Sequence, residues 1–84
     1  MENSKMSEAE MRHTVSINTK SFRAVCGYTQ EDVADKCDIT SRTVHNIEHE
    51  KCMPTLSTLI RLSQCFEVPI DTLITSNKKK TTNL

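Results

Sequence analysis

The chain has 84 residues, with 11 acidic and 11 basic side chains, so its formal net charge is zero. That length suits one small domain whose core is modest and often helped by self-association, and no separate ligand or dimerisation domain is expected. Neutrality counts mildly against a basic nucleic-acid binder, and the absence of a signal peptide or a long apolar run points to a cytoplasmic protein outside membranes.

With a single Gly, no Trp and only Tyr28, Phe22 and Phe66 as aromatics, the composition favours an all-α fold with an aliphatic core. The four cysteines, at 26, 37, 52 and 65, form no C-x-x-C pair. Three fall at apolar helical positions, so reduced core thiols are expected rather than disulfides or a metal site.

Residues 1–6 read as a frayed terminus. Ser7-Glu8-Ala9-Glu10 matches a capping box and starts a helix. Met11, Val15, Phe22 and Cys26 recur as an apolar face, on one long helix or on a short one followed by a second near Asn18. Gly27, the only residue free of the left-handed penalty, stands where this helix should stop. Tyr28 is expected to wedge its ring against the core.

Thr29 is an N-cap, with Asp32 placed to reach back to it. Val33, Ala34 and Cys37 form the apolar face of a second helix, and Asp38 tolerates the left-handed turn that ends it. Thr40 caps a third helix with Val44 and Ile47 behind and Ser41, Arg42, Thr43, His45 and Asn46 in front. Pro54 breaks the connector from 49 to 54. Thr55 caps a fourth helix, with Leu56, Leu59, Ile60, Leu62, Ser63 and Phe66 as a broad apolar stripe. Residues 70–74 read as a short last helix with Leu73 and Ile74 apolar. Residues 75–84 read as a flexible basic tail, and its lysines at 78–80 as solvated.

A buried back and a polar front on a short helix meet the requirement for reading the major groove. The ordered set TQEDVA, DIT and TVHNIE resembles the phage-repressor and Cro-like helix-turn-helix family, also called the XRE family. The likeness extends back to Phe22-Arg23 and on through Pro54, Leu59 and EVPIDTL, covering residues 15–74. It departs at Asp38 and at Glu50, where the family carries Gly.

The resemblance implies a five-helix, lambda-repressor-like domain over residues 7–74, with its helix-turn-helix at 29–48. It implies a partner, double-stranded DNA, bound by a homodimeric regulator or repressor at a palindromic operator, with no cofactor and no metal. The candidate DNA contacts are Thr29, Gln30, Ser41, Arg42, Thr43, His45, Asn46 and Lys51. Gln30 would touch phosphate at a helix N-terminus, and Lys51 would neutralise a phosphate. Ser41, Arg42, His45 and Asn46 occupy the family's base-reading positions; a solvated helix face is the plainer alternative. Arg23 and Glu48 match a pair that in the family joins the first helix to the third, of value for orientation more than for stability. Leu73 and Ile74 are expected at the dimer surface. His45, His49 and Cys52 lack the ligand set of a zinc site, and no Gly-rich loop offers an oxyanion hole, so an enzyme is not expected. The competing reading is a protein-interaction module on the same scaffold, such as an antitoxin, which neutral charge and Glu50 favour.

Overall fold

The computed structural model describes residues 6–76. Expectations for residues 1–5 and 77–84, the lysines at 78–80 included, lie outside it. Five helices follow in order: α1 Glu8–Cys26, α2 Gln30–Cys37, α3 Ser41–Glu48, α4 Leu56–Phe66 and α5 Ile70–Ile74. Residues 8–26 thus form one long helix rather than two.

Local chemistry sets the boundaries. Ser7 and Glu10 form a reciprocal capping box, as do Thr29 and Asp32. Thr40 and Thr55 each accept the backbone N–H three residues on. These caps satisfy donors that a helix start leaves without intrahelical partners. At the other ends, α1, α2 and α4 stop on left-handed Gly27, Asp38 and Glu67, and α3 on His49 followed by left-handed Glu50. The paired bonds are those of a Schellman motif, as in Tyr28 N–H to Arg23 O at 3.0 Å and Gly27 N–H to Ala24 O at 3.1 Å. Asp38 and Glu50, where the family carries Gly, are both left-handed, at a steric cost that Gly avoids.

The core joins Val15 of α1, Val33, Ala34 and Cys37 of α2, and Val44 and Ile47 of α3. Leu59, Leu62 and Phe66 of α4 and Leu73 of α5 complete it. Phe22 packs on Phe66 with ring centroids 5.8 Å apart.

Several expected core positions are elsewhere. Met11 and Cys26 are exposed, and α1 instead buries Thr14, Ser16, Asn18 and Thr19 around Val15. Small hydroxyl and amide side chains let α1 approach its neighbours closely; Ser16 and Asn18 find carbonyls, whereas the buried Thr19 hydroxyl has no partner among the described residues. Ser16 Oγ donates to Glu48 O at 2.6 Å. Asn18 Nδ2 lies 2.8 Å from Leu73 O and 3.0 Å from Thr75 O, clamping the end of α5. Leu56 and Ile60 leave the α4 stripe for the surface, Leu56 being 67% exposed. Leu73 is sealed in the core rather than available to a partner, while Ile74 is exposed. All four cysteines are free, but only Cys37 is fully buried.

Candidate nucleic-acid interface

The turn between α2 and α3 is fixed from both sides. Ile39 N–H donates to Ala34 O at 3.0 Å, closing α2. Arg61 of α4 reaches the carbonyls of Cys37 and Asp38 at 3.3 and 3.2 Å, adding charge-assisted bonds at the same end. Val44 and Ile47 then turn the back of α3 inward, and both are buried. Burying two such side chains stabilises the packing by about 1.5–3 kcal/mol each.

Glu48 ends α3 and is the joint of the site. Its side chain is 1% exposed and receives three bonds. Arg23 Nε donates at 2.6 Å and Nη2 at 3.0 Å, in the two-pronged geometry that suits a carboxylate. Gln30 Nε2 donates at 3.0 Å. Arg23 Nη1 also donates to Tyr28 O at 3.1 Å. The Glu48 hydrogen bond, more than its charge, holds the Arg23 guanidinium above its already high range, against a smaller opposing effect of burial. The start of α2, the end of α3 and the middle of α1 are thereby tied at one carboxylate.

That junction aims the front of α3 outward. Gln30, Ser41, Arg42, His45, Asn46 and Lys51 line one shallow cleft. Arg42, His45, Ser41 and Lys51 are exposed, whereas Gln30 and Asn46 are half-buried. Two other candidates are used inside the protein. The Thr29 hydroxyl accepts from Asp32 N–H at 3.0 Å, and the Thr43 hydroxyl is 2.9 Å from that of Thr40. Gln30 is partly committed too, since its amide serves Glu48.

Two features were not anticipated from the sequence. The rings of His45 and His49 stack with centroids 4.0 Å apart, and His49 Nδ1 donates to His45 O at 2.9 Å. Their spacing of four residues, from α3 to the residue that caps it, was the available signal. His13 of α1 places Nδ1 2.8 Å from Glu50 Oε2, a contact across 37 residues that no local pattern announces. Among the described residues, no group of three His, Cys, Asp or Glu side chains is arranged to hold a metal ion. No described helix is long and apolar enough to cross a membrane.

Residues 20–73 match the helix-turn-helix family HTH_3. A curated relative, the HTH-type transcriptional regulator ImmR of Bacillus subtilis (strain 168), is 34% identical over 68 residues. That match takes in 77% of this chain, which spans about half, 54%, of the relative. Among solved structures, a hypothetical transcription factor, NHTF, from Neisseria superposes with a TM-score of 0.81 at 20% identity, over 95% of this chain and 92% of that one. The SOS-response transcriptional repressor LexA from Eubacterium rectale gives 0.81 at 19% identity, over 94% and 84%. At such identities these structures speak for the fold alone. With five helices in the same architecture, capped and joined as described, the chain belongs to the phage-repressor and Cro-like (XRE) helix-turn-helix family.

Proposed function

We propose that the protein is a sequence-specific, DNA-binding transcriptional regulator, a cytoplasmic repressor acting at an operator. In this reading α3 enters the major groove and α2 lies over the backbone. Two copies occupy half-sites about 34–36 Å apart. The observation that carries it is the cleft that gathers Gln30, Ser41, Arg42, His45, Asn46 and Lys51 on the outer side of the helix-turn-helix. Arg42 pairs with guanine and Asn46 with adenine, the bidentate partners their side chains fit. Lys51 and the first turn of α2 hold phosphates.

Selection of bound duplexes from a random pool tests this. Arg42→Ala and Asn46→Ala should relax preference at one or two base pairs per half-site, costing about 1–3 kcal/mol per lost pair. Lys51→Ala should weaken all sequences alike and flatten the salt dependence by about one unit per site. A wild-type consensus kept by Arg42→Ala and Asn46→Ala, but changed by Lys51→Ala, refutes the placement of α3.

A second reading is favoured by the zero net charge and by Glu50, a carboxylate directly after α3. In it the domain is an interaction module whose partner supplies most of the DNA affinity. Failure of the purified protein to bind any duplex at about 50 mM salt, where phosphate contacts are strongest, supports it over the first.

A further inference from the structure

Three side chains of α1 hold the C-terminal end of α3. Ser16 takes the Glu48 carbonyl, Arg23 takes the Glu48 carboxylate, and His13 takes the Glu50 carboxylate. Of these residue types only histidine ordinarily changes charge between about pH 5 and 8. Glu50 is the left-handed residue just past α3, with φ 61°, which fixes the direction in which its side chain leaves the backbone, and His13 meets its carboxylate. The next residue, Lys51, lines the cleft that faces nucleic acid. A bare carboxylate at that point opposes phosphate and offsets Lys51. An imidazolium at 2.8 Å cancels most of its field.

We infer that His13 is a positioning residue for nucleic-acid binding: as the imidazolium it neutralises and holds Glu50, which makes the affinity of the α3 face depend on a proton carried by α1. The inference rests on the DNA-binding reading above. Among the described residues, the charged groups around His13 are few. Glu10 of its own helix lines the same groove, with one carboxylate oxygen on Ser7 N–H at 2.9 Å. Arg12 is bound to Glu8 at 3.0 Å. Glu50 faces His13 from the end of α3, and the groove residues of α5 and beyond, Ile74, Thr75 and Ser76, carry no charge. Both carboxylates, like phosphates brought close on binding, attract a cationic ring. DNA affinity therefore rises as pH falls through the imidazole range and declines as pH rises through it.

The magnitude is small because both side chains are well exposed, at 60% and 43%. A pair of that kind is worth about a two- to fivefold change in an equilibrium constant.

The test measures anisotropy of a labelled duplex recovered from the selection, at one salt concentration, near about pH 6 and about pH 8. Wild type, His13→Gln, Glu50→Gln and the double variant are compared. His45 and His49 remain in all four, so their protons cancel in the comparison. The ratio of affinities at the two pH values should be about two- to fivefold larger for wild type than for His13→Gln. Glu50→Gln should bind more tightly than wild type near about pH 8, and adding His13→Gln to it should change nothing. Melting curves at both pH values identify a merely structural role, which lowers stability but leaves the pH ratio alone. If His13→Gln keeps the wild-type ratio, or Glu50→Gln fails to bind more tightly at the higher pH, the assignment falls while DNA binding stands. Wild type that binds no duplex at either pH overturns the DNA-binding reading and this inference together.

Discussion

Replacing Arg23 by Ala removes two of the three donors to a carboxylate that is 1% exposed. Gln30 remains, through one bond of 3.0 Å. The value of an intact buried pair is modest, because desolvation offsets most of the attraction. Deleting one partner is a different matter, since it leaves a buried charge uncompensated and costs about 3–5 kcal/mol. A chain of 84 residues has about 4–13 kcal/mol of total stability, so Arg23→Ala consumes a large part of it. At about 4 °C or more per kcal/mol for a domain of this size, Tm falls by at least about 12 °C. Thermal and urea unfolding followed by helical circular dichroism measure this directly. Arg23→Met with Glu48→Leu should recover most of the loss, since an apolar pair of similar volume replaces an ion pair at little cost. A single variant melting within about 2 °C of wild type would show that the contact counts only as an exposed pair.

Other outcomes follow from single contacts. Asn18→Ala should cost about 1–3 kcal/mol by orphaning the carbonyls at the end of α5. Amide exchange across residues 70–74 should rise more than elsewhere; uniform exchange refutes the clamp. Glu67 sits at φ 58°, so Glu67→Gly should raise stability by about 0.5–1 kcal/mol, the left-handed penalty less the entropy of Gly, and an unchanged urea midpoint refutes it. The Asp32 carboxylate is held below its ordinary range by the Thr29 backbone N–H first, then by the Thr29 hydroxyl. Its folded value is depressed, so its contribution is present above the ordinary carboxylate range and lost as pH falls through the folded value. Asp32→Asn should flatten acid unfolding below about pH 4, and an unchanged acid limb sinks the assignment. Burial pushes the Cys37 thiol up to about 12, so iodoacetamide should alkylate exposed Cys26 first and Cys37 last in the native protein. Equal labelling rates would show that α2 opens readily.

Much of this fold is legible in the sequence because its signals are local. Ser7, Thr29, Thr40 and Thr55 announce their helices by hydroxyl chemistry that acts over three residues, and Gly27 announces a stop. The outward set at 41, 42, 45 and 46 follows from the same short-range periodicity, once Val44 and Ile47 are taken as the inner face. What hydropathy misses is α1. Its buried face is Thr14, Ser16, Asn18 and Thr19, polar residues that look like a solvated surface; carbonyls from α3 and α5 reach only Ser16 and Asn18. Leu56 and Ile60 fail in the opposite sense: they are apolar in a helix whose inward arc is already filled by Leu59, Leu62 and Phe66. His13 and Glu50 meet only because α1 crosses the end of α3, which no spacing encodes.

The polar face of α1 has a reason in the helix it supports. A helix as short as α3 cannot be stable alone, and its last carbonyls need partners. All four have them. His45 O accepts from His49, Asn46 O from Lys51 N–H at 2.8 Å, Ile47 O from Glu50 N–H at 3.2 Å, and Glu48 O from Ser16 Oγ. The opposite end is treated differently. Thr40 takes the N–H of Thr43, while among the described residues nothing accepts from the N–H of Ser41 or Arg42. The electronegative end of α3 is thus saturated, while among the described residues the first two N–H groups stay open at its electropositive end, as they do at the starts of α1, α2 and α4. That end carries Ser41 and Arg42, and it opens on the cleft shared with Gln30 and Lys51. An apolar α1 would pack α3 as tightly, yet it would orphan the Glu48 carbonyl and leave the Glu48 carboxylate without Arg23. The Ser16 hydroxyl and the Arg23 guanidinium are therefore what α1 contributes to the C-terminal end of α3, in place of a purely apolar contact.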